Sequence, residues 1–255
     1  MINAGTHGAV TWIDLSTPDV KAVAEFYQEL LGWDDVIVSP TPMGDYHIAM
    51  VGDHQVCGMM GQGPELVGTP PMWTIFIYVD DVDATAGRVA EAGGTVLTQP
   101  FDIPDARIAV IADPKGAVFG LFGGPEIEGE FYSEDVGRIC WAELMTRDPE
   151  GVQGFYGDLF GWEAVTELAA GNPYTTFKLG DDMAAGMMMM PADVPPEVPA
   201  YWSMYFTVAD CAGTEKRVAE MGGEVYVPTM TLDMGKFASF ADPQGATFNI
   251  MEYAK

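Results

Sequence analysis

The sequence predicts an α+β protein built from four βαβββ modules, whose strands form mixed, strongly curved sheets with helices on their outer faces. Two observations carry this prediction. EFYQELLGW (25–33) returns as GFYGDLFGW (154–162), with Phe-Tyr, Leu and Gly-Trp keeping their places. Within each copy, strand periodicity gives way to helical spacing and then to further short strands, twice over.

In the first copy TWIDLST alternates as a half-buried strand does. DVKAVAEFYQELLGW then places Val20, Val23, Phe26, Tyr27, Leu30 and Leu31 on one helical face, with Asp19 as N-cap and Gly32 as stop. Phe-Tyr and Leu are expected to pack that helix on the back of the sheet, and Gly-Trp to end it. YHIAMV and QVCGMM follow as short strands. The pattern restarts with the strand WTIFIYV, the helix DVDATAGRVAEAGG ending in paired glycines, and the strands TVLTQP, RIAVIAD and AVFGLF. A strand–helix start followed by meandering strands implies a mixed sheet with helices on one face.

The second copy repeats this order. WIDLSTPDVKAVAEFYQELLGW aligns without gaps to WAELMTRDPEGVQGFYGDLFGW, CGMM (57–60) to AGMM (185–188), and ADPKGAVFGLF (112–122) to ADPQGATFNIM (241–251). The expected organisation is a domain over 1–123, a Gly-, Pro- and acid-marked linker over 124–137, and a second domain over 138–255.

Composition narrows the function classes. Of 255 residues 48% are hydrophobic and 11% aromatic, enough to bury substantial cores. Thirty-eight acids against eleven bases give a formal charge of −27, which repels phosphate backbones and anionic membranes. Neither a nucleic acid nor a membrane partner is expected. No apolar run is long enough to span a bilayer, and MINAGTHGAVTWIDL lacks the regions of a signal peptide, so a cytoplasmic protein is expected. Cys57, Cys140 and Cys211 form no CxxC pair and read as reduced, buried residues. There is no GxSxG, Walker-type loop, HExxH or strand-linked GxGxxG.

The FYxxxLG helix after a first strand, the strand leading into DDVDA, and the closing strand after DPxG resemble the vicinal-oxygen-chelate superfamily. That group includes glyoxalase I, bleomycin- and fosfomycin-resistance proteins and extradiol dioxygenases. The likeness covers nearly the whole chain twice, in the tandem two-unit form found in actinobacteria. It implies two cupped sheets paired about a pseudo-twofold axis within one chain, each with a ligand cavity. It also implies a divalent metal held by His, Gln or Glu. The three ligand positions fall on Trp12, Thr74 and Gly120 in the first copy, and on Trp141, Ser203 and Asn249 in the second. Indole offers no lone pair, glycine no side chain, and Ser, Thr and Asn are weak neutral ligands. The expectation is therefore no metal and no cofactor. His7, His47 and His54, all in the first copy, read as surface or hydrogen-bonded residues.

Strand period two puts Trp12, Asp14 and Ser16 on one face, with Trp141, Glu143 and Met145 as their counterparts. Thr74, Phe76, Tyr78 and Phe122 share that face in the first copy, and Ser203, Tyr205, Asn249 and Met251 in the second. Flat aromatics with a few polar handles suit a largely apolar small-molecule ligand. Asp14 and Glu143 are the candidate acid/base groups, since a carboxylate beside indole is partly desolvated. The alternative is a carboxylate tied to the backbone or to Arg138 or Arg147. These residues support a metal-free binding protein for an apolar or aromatic molecule, such as a secondary metabolite, or a cofactor-independent isomerase, cyclase or lyase. A metal-dependent lyase or dioxygenase is disfavoured, and a protein-interaction module has only the acidic surface behind it.

Overall fold

The structure, a computed structural model, describes residues 2–41, 44–63, 66, 68–125, 127, 129–169, 171–192 and 194–254. Parts of the expected linker (Glu126, Glu128) lie outside the described residues. The first module is β1 (Val10–Thr17), α1 (Val20–Leu31), β2 (Asp35–Thr41), β3 (Gly44–Val51) and β4 (His54–Gly61). The second is β5 (Met72–Tyr78), α2 (Val82–Val89), β6 (Thr95–Ile103), β7 (Ala106–Ala112) and β8 (Val118–Gly123). The third is β9 (Ile139–Thr146), α3 (Pro149–Phe160), β10 (Glu163–Ala169), β11 (Asn172–Leu179) and β12 (Asp182–Met189). The fourth is β13 (Tyr201–Thr207), α4 (Cys211–Glu220), β14 (Glu224–Leu232), β15 (Gly235–Ala241) and β16 (Thr247–Tyr253).

These strands form two eight-stranded mixed sheets, ordered β2-β3-β4-β1-β5-β8-β7-β6 and β10-β11-β12-β9-β13-β16-β15-β14. In every module the first strand lies parallel to the last, because the helix crosses between them, while the three later strands meander antiparallel. Each helix packs on strands of its own module. Every helix opens on an aspartate cap, Asp19, Asp81, Asp148 or Asp210, whose side chain accepts a backbone N–H three residues on. Gly32 and Gly161 close α1 and α3 in the left-handed conformation, at φ 73° and 71°. Strand β2 escapes the periodicity reading: it is an edge strand with Ile37 and Val38 exposed and Pro40 inside it.

The chain forms two compact units, and each draws on both copies of the repeat. One comprises residues 12–74, 132–141 and 203–255. At its centre Tyr27 is stacked on Trp33 at 5.5 Å and meets the edges of Trp73 and Phe248 at 5.5 and 5.2 Å. Its hydroxyl donates to Asp242 Oδ2 (3.2 Å) and accepts from Trp73 Nε1 (3.3 Å). Asp242 Oδ1 meanwhile accepts the backbone N–H groups of Gln244, Gly245 and Ala246, which shape the ADPQG turn. The other unit comprises residues 1–11, 75–131 and 142–202. Here Tyr156 stacks on Trp162 at 5.5 Å and donates to Asp113 Oδ2 of the ADPKG turn (3.1 Å).

The repeated phrase thus does more than hold a helix to its sheet. Its Tyr reaches the DPxG aspartate encoded by the other copy. Its Trp is core rather than a mere helix stop: Trp33 Nε1 donates to Gly137 O, and Trp162 Nε1 to Gly8 O. Gly137 and Gly8 sit at φ 85° and 88°, where a Cβ would come within 2.7 Å of the carbonyl of Leu31 or Phe160.

Candidate functional site

Strand β1 runs parallel to β4 with Asp14 opposite Gly58, and β3 lies antiparallel on β4 with Tyr46 opposite Met60. This register brings three side chains together. Trp12 Nε1 donates to Asp14 Oδ1 (2.9 Å) and to Tyr46 Oη (2.8 Å), and the Tyr46 hydroxyl donates to the same Asp14 oxygen (2.6 Å). Gly58 makes the room. A Cβ there would stand 1.9 Å from Tyr46 Oη and 2.2 Å from Asp14 Oδ1. Trp12 and Asp14 are half-buried. Burial pushes the Asp14 carboxyl up to about 6, against the opposing pull of the hydrogen bonds from Tyr46 and Trp12. Burial and the Asp14 charge raise Tyr46 well above the usual phenol range, so it stays a neutral donor. Asp14 Oδ2 has no partner among the described residues and is not enclosed. Ser16 Oγ, next along the strand, is enclosed and also lacks a partner among them.

The second copy reproduces the register. β9 runs parallel to β12 with Glu143 opposite Gly186, and Glu143 is buried. Tyr174 occupies the third position of β11, as Tyr46 does of β3. Trp141 is half-buried with its ring 5.5 Å from that of Tyr132. Arg147 is engaged elsewhere, donating to the carbonyls of Val194, Pro195 and Val198 in the proline-rich loop, where Asp193 lies outside the described residues. Arg138 lies 3.6 Å from Asp135.

The remaining candidates fall into separate groups. In the second module Phe76 and Tyr78 pair with Gly120 and Phe122 across β5 and β8. The Phe76 ring fills the space above Gly120, where a Cβ would lie 2.1 Å from it. Tyr78 donates to Gly124 O (3.0 Å), with its ring 6.3 Å from that of Phe122. In the fourth module Asn249 Nδ2 donates to Ser203 Oγ (2.6 Å) and Met204 O (3.2 Å), while Tyr205 lies opposite Asn249 and Met251 opposite Thr207. Thr74 is half-buried on β5.

These residues do not fit the metal that the fold family implies. The Trp12 nitrogen is a donor committed to Asp14 and Tyr46, Gly120 is covered by an aromatic ring, and Asn249, whose Nδ2 donates to Ser203 and Met204, offers only a neutral amide oxygen. Among the described residues no group of three or more His, Cys, Asp or Glu converges as a metal site would. His7 is held as a structural residue, with Nε2 3.1 Å from Leu159 O and Nδ1 accepting from Asp80 N (3.3 Å).

Sequence reasoning placed Trp12 and Asp14 together but missed Tyr46 and Gly58. The signal was present: a tyrosine recurs in the matched strands at 46 and 174, and a glycine in CGMM and AGMM.

Comparison with known proteins agrees with this architecture. A family model described as the Glyoxalase/Bleomycin resistance protein/Dioxygenase superfamily matches residues 9–121 and again 138–250. CFP32 of Mycobacterium tuberculosis (strain CDC 1551 / Oshkosh), provisionally named a glyoxylase, is 37% identical over 97% of this chain and 95% of its own. The anthracycline biosynthesis protein DnrV of Streptomyces peucetius is 33% identical over 96% of this chain and 93% of its own. Among solved structures, the Mn(II)-bound glyoxalase from Novosphingobium aromaticivorans superposes with a TM-score of 0.65 at 13% identity, covering 98% of this chain and 83% of that one; this likeness is one of fold alone. With its family model matched twice, and with relatives above 30% identity along nearly its full length, the chain belongs to the glyoxalase/bleomycin resistance protein/dioxygenase superfamily.

Proposed function

We propose that this protein is a metal-independent member of the superfamily that binds an apolar or aromatic small molecule, a secondary metabolite by class, with Asp14 as its polar handle. The observation that carries this reading is the Trp12–Asp14–Tyr46 cluster, which sets an indole at the first ligand position, hydrogen-bonded to a carboxylate that keeps one oxygen open. The name of DnrV, an anthracycline biosynthesis protein, supports an aromatic ligand. Glu143, Trp141, Ser203, Tyr205, Asn249 and Met251 in the second copy, and Thr74, Phe76, Tyr78 and Phe122 in the first, are further proposed ligand contacts, each within its own group. Three free, buried cysteines suit a reducing compartment, which supports the cytoplasm as the place of action.

Two measurements test the reading. Protein purified without chelator and exposed to Zn, Ni, Mn and Fe should carry far less than one metal per chain by mass spectrometry. Aromatic metabolites should quench Trp emission saturably, and flat titrations across a broad set would overturn the assignment. A second reading, a cofactor-independent isomerase, cyclase or lyase, is favoured by one observation. A carboxyl poised at about 6 with a free oxygen suits proton transfer near neutral pH. It predicts that Asp14→Asn abolishes turnover of a substrate that the variant still binds.

A further inference from the structure

The cluster has a polarity that narrows its ligand. Tyr46 has one hydroxyl proton, given to Asp14, and its oxygen already accepts from Trp12. Trp12 has one N–H, shared between Tyr46 and Asp14. The Ser16 hydroxyl is enclosed, beyond a ligand's reach. Every donor is therefore spent inward, and the only group offered outward is an acceptor, Asp14 Oδ2. No Lys, Arg or His pairs with Asp14 among the described residues, although burial disfavours its ionised form. The whole chain carries a formal charge of −27, which repels anions and concentrates cations.

A neutral hydroxyl at Oδ2 would complete the hydrogen bonding yet leave a desolvated negative charge uncompensated. A carboxylate or phosphate would meet repulsion at the site and from the molecule as a whole. A cationic donor answers both needs, since it completes the hydrogen bonding of Oδ2 and sets an opposite charge beside the desolvated carboxylate. We propose that the group delivered to Asp14 Oδ2 is a protonated amine, so that the ligand is an amine-bearing aromatic molecule. This rests on the small-molecule reading above and adds the chemical class of the ligand's polar end.

Three probes sharing one ring separate the terms: 2-naphthylmethylamine, 2-naphthylmethanol and 2-naphthoate, titrated by Trp quenching and calorimetry near pH 7.5. The amine should bind about tenfold more tightly than the alcohol, with the naphthoate weakest. Asp14→Asn should cost the amine about tenfold and erase its advantage over the alcohol. Unchanged near-ultraviolet circular dichroism would show that the variant is folded. Should the variant not fold, the wild-type pH profile decides. Amine affinity should fall as pH drops through about 6, where Asp14 protonates, while the alcohol's stays level. The other titratable groups coupled to Asp14 are Tyr46 from β3, which faces it, and Cys57 from β4, which feels its charge; both are raised further from that range and neutral throughout it. Equal affinity for amine and alcohol, or an amine affinity blind to both Asp14→Asn and pH, would overturn the amine assignment alone. Failure of all three probes to bind would remove the small-molecule reading and this inference with it.

Discussion

Asp14 could be exchanged for asparagine without losing either inward hydrogen bond, because a carboxamide oxygen accepts from Trp12 and Tyr46 as a carboxylate oxygen does. Keeping the acid therefore has a cost in stability. A carboxyl moved from 3.8 to about 6 by burial corresponds to roughly 3 kcal/mol against the ionised folded state. Between about pH 4 and 6 the folded chain holds the proton that the unfolded chain has released. This group's contribution is thus favourable at low pH and is lost as pH rises through the folded value. Asp14→Asn should accordingly be more stable than the wild type by about 1–3 kcal/mol near pH 7.5, with the gap closing toward pH 4, as read by urea unfolding. Gly58→Ala drives a methyl group into Tyr46 and Asp14 and should cost about 1–3 kcal/mol together with probe binding. Asp14 and Trp12 were legible in the sequence because strand period two puts them on one face. Tyr46 was marked only by its recurrence at 174, because its partnership depends on how β3 registers on β4, and periodicity within a strand says nothing about pairing between strands.

At the level of elements, α1 was readable to the residue, its aspartate cap, apolar spacing and terminal glycine agreeing with the observed boundaries, and the gap-free alignment carries the same frame to α3. Helix α2 ends at Val89, before the paired glycines expected as its stop, and Gly93 and Gly94 instead turn the chain into β6. Strand β2 was missed because its exposed apolar residues and internal proline belong to a sheet edge, where alternation is not enforced by burial. What no local pattern could reveal is the reach from helix to distant turn. Tyr27 and Tyr156 are fully buried, and each shares its hydroxyl with a buried aspartate. Removing that hydroxyl leaves an acceptor short of a donor, so Tyr27→Phe and Tyr156→Phe should each lose about 1–3 kcal/mol in denaturant unfolding. Trp33 and Trp162 remain as stacking partners in both variants, so the aromatic core itself should persist.

For the molecule as a whole, the repeat in the sequence and the compact units in space are different partitions of one chain. Each unit takes a module from either copy, so a fragment ending at residue 123 carries only part of both units. Fragments 1–123 and 138–255 expressed separately should lack the cooperative unfolding of the intact chain as monomers. Mixing them should restore native near-ultraviolet circular dichroism in a one-to-one complex, as sedimentation would report. The doubling itself was plain in the sequence; the crossing was hidden, because aligned copies look alike whether each folds on itself or on the other.

The paired bonds Tyr27–Asp242 and Tyr156–Asp113 also bear on ancestry. A half-length forebear with one such tyrosine and one such aspartate could form the same bond in trans, tyrosine of either copy to aspartate of its twin, as a self-complementary homodimer does. Fusing the genes would turn that bimolecular association into an intramolecular one of high effective concentration. It would also free the two copies to diverge, and the DPxG turns now read DPKG in one and DPQG in the other. Lys115 pairs with Asp148 at the start of α3, whereas Gln244 accepts from Thr17 and the Asp19 amide at the start of α1. One symmetric contact has become two chemically distinct ones, a specialisation closed to any protein that must still be its own partner.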